Sequence, residues 1–347
     1  MDSDNEELLM KMNLSKRLSL AAVALATTVG LAACGSDEPA GELATGGWDE
    51  VVAAAKNEGT VTIYSSQGAT QVDDLAAGFQ DKYGVKVEVV RDIDANLLPK
   101  IDAELRTGKP AADVLVQSTE SAVKKYSEDG VLAEPVAPSL KDIDVMRDDN
   151  YFDVDATVIT FAWNTDQFHG KLNNYQDLLN KDLKGKIGVP EPTVAAFVDF
   201  YLYLEDLYGD DFSAKLAAQD PKIYPGALPA AQALSSGEIA AAAYVEPQAD
   251  EKKAGAPVDW GFEKEQWSAM FYGSMLKGSA HPNAAQLLTD YMMSAEGQQR
   301  IARKAASARP DIPGTVATLD TVHRMDTTKI TPEVIADYQA KWNKLFR

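Results

Sequence analysis

The sequence predicts an α/β protein built from two successive units, and three observations lead to that class. The chain has 347 residues, 45% hydrophobic and 25% charged, which is long enough for two domains with real cores. From residue 60 onward, short strand-like runs alternate with amphipathic helical segments. A long extended stretch at 157–164 then leads into a second unit of the same kind. Alternating strands and helices indicate an α/β sheet with short crossovers.

The first unit contains predicted strands at 60–64, 85–90 and 113–116, separated by two helices. The first helix places Val72, Leu75, Phe79 and Tyr83 on one face. The second carries an equivalent apolar stripe around Ile101. Both helices therefore have a face that can cover a sheet.

The second unit follows the extended stretch. Strands are predicted at 186–189 and 239–244, with helices at 193–207 and 228–234 between them. A further strand is predicted at 269–276, followed by helices at 281–293, 295–306 and 332–346. These last helices have apolar stripes that would pack back onto a sheet.

Composition excludes several classes of function. The formal charge is −20, with 33 Lys and Arg against 53 Asp and Glu, so nucleic acid is not an expected partner. A single cysteine excludes a disulfide framework and a cysteine-based zinc cluster. The three histidines, His169, His281 and His323, are too dispersed to suggest a metal site, and no cofactor is expected.

The N-terminus has the pattern of an export signal. Lys16 and Arg17 precede an apolar run at 18–31 that is too short for a convincing membrane span. The sequence LAAC at 31–34 resembles the lipobox of bacterial lipoproteins, which makes Cys34 the expected site of lipidation. We therefore predict a signal peptide at 1–33, in which residues 1–11 are read as an over-long start, and a lipidated flexible tether at 34–47.

Five short sequence segments carry a resemblance to a known family. They are VTIYSS at 61–66, KPAADV at 109–114, DLKGKIGVP at 182–190, SGEI at 236–239 and SAEGQ at 294–298. Together they resemble the extracellular solute-binding proteins of ATP-binding-cassette (ABC) importers, in the group that includes the ferric-ion-binding proteins. The resemblance implies the type II periplasmic-binding-protein-like fold, in which two lobes close on a ligand about hinge strands near 154–164 and 256–270. It places lobe 1 at 48–158 plus 259–300, and lobe 2 at 159–258 plus 301–347.

The same resemblance implies a function and a location. The protein would bind a small-molecule solute, hand it to ABC permease subunits and act as a monomer. With the lipobox, it would lie on the outer face of the cytoplasmic membrane or in the periplasm. It is not expected to be an enzyme, because the sequence contains no recognised nucleophile elbow, phosphate-binding loop or dinucleotide fingerprint.

Three loops are expected to form the ligand site, because α/β sheets bind ligands beyond the carboxyl ends of their strands. Each offers hydroxyl or backbone donors at a helix N-terminus, which favours an anion. The alternative for the hydroxyls is a capping role alone. The residues are Ser65, Ser66 and Gln67 after the first strand, Ser118 and Thr119 after the third, and Thr193 and Val194 in the second unit.

Ferric iron is not the favoured ligand. The iron-binding relatives use a histidine, a glutamate and a tyrosine pair, where this chain has Gly68, Ser118 and the dipeptide at 246–247, with only Tyr244 nearby.

The site would be completed by Tyr244, by Glu246 facing an ammonium group, and by the aromatic residues Trp163, Phe197 and Tyr272, for which core packing is the alternative.

The favoured ligand is a small anionic or zwitterionic nutrient of the phosphonate, phosphate or carboxylate type. The alternatives are ferric iron or an iron chelate, a cation of the polyamine or thiamine type, or a ligand-sensing lipoprotein without a transport role. The sequence does not identify the cargo among these.

Overall fold

The computed structural model describes residues 40–347. The predicted signal peptide, Cys34 and the first part of the predicted tether lie outside the described residues. Within the described part of the chain, no helix combines the length and the apolar character needed to cross a membrane.

The described part of the chain begins with a series of alternating helices and strands. They are α1 (Trp48–Glu58), β1 (Thr60–Ser65), α2 (Ala69–Tyr83), β2 (Lys86–Arg91), α3 (Asp94–Thr107), β3 (Val114–Gln117), α4 (Glu120–Glu128), β4 (Met146–Asp148) and β5 (Tyr151–Val158). Gly84 and Gly108 end α2 and α3 with φ of 72° and 69°, a left-handed conformation that glycine adopts without steric cost.

The middle of the chain forms a second series. It comprises β6 (Thr160–Asn164), β7 (Ile187–Pro190), α5 (Ala195–Tyr208), α6 (Phe212–Ala217), β8 (Lys222–Tyr224), α7 (Ala227–Ser235), β9 (Ala241–Val245), α8 (Ala249–Lys253) and β10 (Val258–Gly261). The remaining elements are β11 (Gln266–Met275), α9 (Pro282–Met293), α10 (Ala295–Ile301), β12 (Ala306–Ser307), β13 (Ala317–Thr318), β14 (Val322–His323) and α11 (Pro332–Phe346).

These strands form two sheets, which define the two lobes. The larger sheet has the order β13-β12-β5-β11-β3-β1-β2, with β4 paired to β5 and β14 paired to β11. The smaller sheet has the order β10-β6-β9-β7-β8. Each sheet is mixed: β1 pairs in parallel with β2 and β3, whereas β11 runs antiparallel to β3 and β5. The predicted two-lobed α/β fold class is confirmed.

Each lobe has its own core. Every residue of β3 is buried, as expected for a strand covered on both faces. The core of the second lobe is rich in aromatic side chains, in which Phe200 makes edge-on contacts with Tyr175, Tyr244 and Trp267.

Two strand connections link the lobes. One runs from β5 to β6 through Ile159, and the other runs from β10 to β11. The amide of Ile159 donates to the carbonyl of Trp267 at 3.0 Å, so the first connection is hydrogen-bonded to the start of β11. A third connection, residues 324–331, leads from the larger sheet to α11, which packs against α5 and α6.

The structure divides the chain ends differently from the expected lobe boundaries. β10 pairs with β6 in the smaller sheet, although residues from 259 onward are expected in lobe 1. β12 pairs with β5 in the larger sheet, although residues from 301 onward are expected in lobe 2. The reason is that α10 ends at Ile301 rather than near 306, and Lys304 then takes a left-handed φ of 64° that turns the chain towards β5.

The end of the predicted tether is attached to the first lobe. Gly41 donates its amide to the carbonyl of Ser279 at 3.0 Å, and Ala44 donates to the Asn283 side chain at 2.9 Å. The Asn283 amide group returns a hydrogen bond to the carbonyl of Glu42 at 2.9 Å. The ordered body therefore begins before Trp48, where the sequence analysis places its start.

Candidate functional site

The buried carboxylate of Asp94 uses the donors of the loop that follows β3. Its Oδ2 atom accepts from the amide and hydroxyl of Ser118, both at 2.9 Å, and from the amide and hydroxyl of Thr119, both at 2.8 Å. Asp94 is 8% exposed. The expectation that Ser118 and Thr119 offer free donors to a ligand anion is therefore corrected, because an anion of the protein itself already occupies them.

The loop after β1 is satisfied in the same way. The Ser65 hydroxyl is buried and accepts from the amide of Gln67 at 3.1 Å, and the Ser66 hydroxyl accepts from the amide of Ser118 at 3.2 Å. The Gln67 side chain donates to Asp155 at 2.6 Å. Ser65 and Gln67 thus stabilise the loop through hydrogen bonds within the first lobe and do not present these polar atoms to a cleft.

Asp155 is fully buried on β5, the strand that leads into the second lobe. The side chain of Gln67 donates a hydrogen bond to Oδ2 of the carboxyl group, whose Oδ1 atom has no hydrogen-bond partner among the described residues. Burial raises the pKa of Asp155 well above its ordinary value, an effect that the Gln67 hydrogen bond opposes.

A pocket of about 470 Å³ lies between the lobes. Its walls come from the first turns of α4 and α5, from β11 and from the connection at 325–330. The predicted site residues that line it are Ser118, Thr119, Val194 and Tyr272. Its other walls include Glu120, Trp267, Met270, Met325 and Ile330, so most of the pocket is apolar with a carboxylate at one side.

A groove of about 450 Å³ continues from this pocket along α4. The two spaces share the wall residues Glu120, Tyr272, Met325 and Thr327. Burial raises the pKa of Tyr272 well above its ordinary value, and the neighbouring Glu120 carboxylate raises it further. Glu120 therefore lies at the junction between pocket and groove.

Two arginines line the groove and hold one buried carboxylate. Arg147 donates to Asp153 through Nε at 2.9 Å and Nη2 at 2.6 Å, and Arg324 donates to it through Nη1 at 2.6 Å. The carboxylate is 1% exposed, whereas the side chains of Arg147 and Arg324 are 35% and 29% exposed. Burial raises the pKa of Asp153 to about 6, and Arg147 opposes that rise. Two guanidinium groups face a single carboxyl group, so the three groups carry a net positive charge.

The remaining predicted site residues do not line the pocket. Trp163 is buried within β6. Tyr244 packs in the aromatic core of the second lobe, with ring contacts to Phe197, Phe200 and Trp267. Thr193 is exposed, and its amide donates to the carbonyl of Glu191 at 2.7 Å.

Glu246 lines a separate small cavity of about 100 Å³ with Lys304. Desolvation in this cavity raises the pKa of the Glu246 carboxyl, and Lys304 opposes the rise. Lys304 is also ion-paired with Asp250. The structure therefore does not place Glu246 beside Ser118 and Tyr272, where the sequence analysis expects it.

Within residues 40–347, no group of three or more His, Cys, Asp or Glu side chains is placed to hold a metal ion. Tyr244 and Glu246, the pair that lies nearest to the iron-binding pattern in sequence, point to an aromatic core and to a separate cavity.

Sequence reasoning missed Arg147 and Arg324. Each stands in a charged, irregular stretch, MRDD at 146–149 and HRMD at 323–326, with no motif that sets it apart from a solvated surface. The two residues are 177 positions apart, since 324 − 147 = 177, and only the pairing of β4 with β5 and of β14 with β11 brings them to one carboxylate.

Comparisons with known proteins agree with this architecture. The family described as bacterial extracellular solute-binding protein matches residues 61–304, which is more than half of the chain. An uncharacterized protein of Haemophilus influenzae is 23% identical over 270 residues, covering 72% of this chain and 77% of that protein.

Solved structures show the same fold at low sequence identity. Iron-bound HitA from Pseudomonas aeruginosa is 21% identical with a TM-score of 0.59, covering 83% of this chain and 98% of its own. AfuA from Actinobacillus pleuropneumoniae, with fructose-6-phosphate bound, is 21% identical with a TM-score of 0.57 and the same coverage. The substrate binding protein of an ABC transporter from Agrobacterium tumefaciens is 17% identical with a TM-score of 0.65, covering 83% of this chain and 94% of its own.

The two-sheet architecture, the pocket between the lobes and the family match agree with the resemblance seen in the sequence. The protein therefore belongs to the family of bacterial extracellular solute-binding proteins, and its fold is that of the ferric-ion-binding-protein-like group.

Proposed function

We propose that this protein captures a small anionic or zwitterionic solute between its lobes and delivers it to an ABC permease. The observation that carries the proposal is the pocket of about 470 Å³ to which both lobes, one hinge strand and the connection at 325–330 contribute walls. Its volume is in the usual range for small-molecule sites.

The chemistry of the walls supports a solute with both polar and apolar parts. Trp267, Met270 and Ile330 provide apolar surface, while Glu120 and the adjoining groove with Arg147 and Arg324 provide charged groups of both signs. A ligand with only positive charge would be repelled by the two arginines, and a multivalent anion would be repelled by Glu120. A solute of small net charge fits this arrangement best.

Capture would couple to a change in the angle between the lobes. The pocket has walls from both lobes, so a ligand in it would gain contacts when the lobes close, and only that differential affinity can shift the open and closed populations. The hinge is the pair of connections from β5 to β6 and from β10 to β11, the first of which is hydrogen-bonded through Ile159 to Trp267 at the start of β11.

Relatives of the same fold carry ligands of different chemistry. HitA binds iron in its solved structure, and AfuA binds fructose-6-phosphate in its own. For this chain, the partly exposed guanidinium groups of Arg147 and Arg324 in the adjoining groove support an organic ion rather than ferric iron.

A screen by thermal unfolding tests the proposal. The protein, with Cys34→Ser to keep it in aqueous solution, is mixed with phosphate, phosphonates, sulfonates, carboxylates, amino acids, polyamines and ferric citrate. A ligand at about a thousand times its dissociation constant adds roughly 4 kcal/mol to the free energy of unfolding. Stabilisation by anions or zwitterions supports the proposal, and stabilisation by polyamines or ferric citrate alone would contradict it.

Transport itself needs a cellular experiment. Deletion of the gene should abolish uptake of the radiolabelled solute identified in the screen, and a copy encoding the native protein should restore it. Unchanged uptake with a lost transcriptional response to the solute would indicate the sensor role instead.

The lipid anchor and the monomeric state are parts of the same proposal. Metabolic labelling with a tritiated fatty acid should mark the native protein and leave Cys34→Ala unlabelled. Light scattering of the Cys34→Ser protein should give the mass of a single chain. Labelling of the Cys34→Ala variant, or the mass of a dimer, would contradict these parts alone.

A further inference from the structure

The two arginines of the groove retain donors that the protein does not use. Arg147 uses Nε and Nη2 on Asp153, and Arg324 uses Nη1. The Arg147 Nη1 group and the Arg324 Nε and Nη2 groups make no hydrogen bond within residues 40–347. About a third of each guanidinium side chain faces the groove or solvent. An arginine fork with open donors is well suited to a carboxylate or a similar planar anion.

Two other acidic groups of the groove accept hydrogen bonds from neighbouring hydroxyls or amides. Asp148 accepts from the Ser127 hydroxyl at 2.7 Å, and Asp326 accepts from the Thr328 amide and hydroxyl at 3.0 and 2.6 Å. Lys124 and Glu128 of α4 also line the groove, with charges of opposite sign. The groove therefore offers the open guanidinium donors of Arg147 and Arg324 together with the ammonium group of Lys124.

Glu120 is the acidic group that the groove shares with the pocket. It lines both the groove and the pocket, and it forms no ion pair with a described residue. The walls thus combine open guanidinium donors in the groove, a carboxylate that both spaces share, and the apolar surface of Trp267, Met270 and Ile330 in the pocket.

We infer that the solute is a zwitterion with an apolar substituent. Its anionic group would bind Arg147 and Arg324, its ammonium group Glu120, and its substituent the pocket at Trp267. The inference rests on the proposed function and names the substrate class of that site. It also replaces Glu246, the residue that the sequence analysis expects to face an ammonium group, with Glu120.

Calorimetric titration with matched probes tests the class. Phenylalanine is compared with phenylpropionate, which lacks the ammonium group, and with phenylethylamine, which lacks the carboxylate. Leucine is compared in the same way with isocaproate and isoamylamine. We expect at least one of the two zwitterions to bind about tenfold or more tightly than both of its analogues. Equal binding of an analogue, or no binding by any of the six probes, would overturn the inference.

Variants then test each residue separately. Arg324→Gln should weaken binding of the zwitterion and of its ammonium-free analogue by a similar factor, about tenfold. Glu120→Gln should weaken the zwitterion by about the same factor and leave the ammonium-free analogue unchanged. Lys125→Gln, an exposed position on α4 paired with Asp129, is the matched control and should change neither affinity.

The arginines also hold Asp153, so a purely structural role must be distinguishable. If Arg324→Gln lowers the thermal midpoint too far, Asp153→Asn with Arg324→Gln removes one charge of each sign and keeps the net charge of the cluster. Loss of stability with unchanged affinity in these variants would overturn the inference. A solute from the thermal screen that binds independently of Arg324 and Glu120 would overturn it while leaving the proposed function intact, whereas the absence of any ligand in that screen would remove both.

Discussion

Asp94 and Asp153 are both buried carboxylates of the first lobe, but they differ in the groups that hold them and in whether those groups keep donors open. Asp94 is held by four neutral donors from Ser118 and Thr119, all of which it uses. Asp153 is held by two guanidinium groups that keep further donors open to a groove. The comparison shows that hydroxyls at a helix N-terminus can bind a ligand only if no acceptor side chain of the protein already uses their hydrogen bonds.

The difference also separates charge from hydrogen bonding. The cluster of Ser118, Thr119 and Asp94 carries a net negative charge, and the donors that hold its carboxylate are all neutral. The cluster of Arg147, Arg324 and Asp153 is net positive. In a chain with a formal charge of −20, the second cluster is therefore the more favourable place for the anionic end of a solute.

The largest expected effect comes from removing Asp153. Asp153→Ala leaves two guanidinium groups without their counter-ion, and breaking a buried ion pair in this way costs about 3 kcal/mol or more. Urea denaturation at neutral pH measures the loss. Asp148→Ala, which removes an exposed carboxylate from the same groove, is the control and should cost less than about 1 kcal/mol. Equal losses in the two variants would contradict the central role of Asp153.

A smaller loss, combined with a gain of binding, is expected for Asp94→Ala. Four donors lose their acceptor, but solvent can reach the loop at Ser118, so the cost should be about 2 kcal/mol. The emptied position should then accept an external anion. Added sulfate should raise the unfolding temperature of Asp94→Ala more than that of the native protein, measured at matched ionic strength with chloride. An equal response would contradict the account of Asp94 as an internal anion.

Asp155→Asn should change the pH dependence of stability. The raised pKa of Asp155 means that the folded protein holds this proton more tightly than the unfolded chain. The carboxyl group therefore contributes stability that is fully present below the unfolded pKa, about 4, and is lost as pH rises through the folded pKa.

The neutral asparagine removes that dependence. Asp155→Asn should be more stable than the native protein at pH 8, and the advantage should shrink as the pH is lowered towards 5, as measured by urea denaturation across this range. A difference that does not vary with pH would show that Asp155 does not titrate in the folded state as burial requires.

The smallest effect is expected for Ser65→Ala. The Ser65 hydroxyl accepts a hydrogen bond from the Gln67 amide, so its removal should cost about 1 kcal/mol and leave ligand affinity unchanged. Calorimetry with the best ligand of the screen checks the second point. Weaker binding would return Ser65 to the site, where the sequence analysis expects it.

The fold is predictable because periodicity and flanking residues agree along most of the chain. The strand predicted at 60–64 is β1 (Thr60–Ser65), and the helix predicted at 332–346 is α11 (Pro332–Phe346). The prediction fails where tertiary contacts override local pattern. α10 ends at Ile301 because the chain must return to pair β12 with β5, and a strand of two residues has no periodicity to detect.

The site is less predictable, because it depends on side-chain directions across long sequence separations. In the sequence, Asp94 resembles a solvated loop acid. Only the packing of α3 beside the loop after β3 turns its carboxylate towards Thr119. Tyr244 and Trp163 are aromatic and near the hinge in sequence, but the aromatic core of the second lobe contains them. Val194 and Tyr272 do line the pocket, because each lies directly on an element that faces the other lobe.

If Cys34 is lipidated as proposed, the attachment of residues 41–44 to the first lobe limits how far the protein can move from a membrane. Seven residue steps separate Cys34 from Gly41, and a fully extended chain covers at most about 25 Å over that length. Where Cys34 carries the proposed lipid, the surface around Ser279 and Asn283 stays within that distance of the bilayer. The first lobe would then stay tethered near the bilayer when the lobes close. The second lobe would be the one that moves relative to the permease.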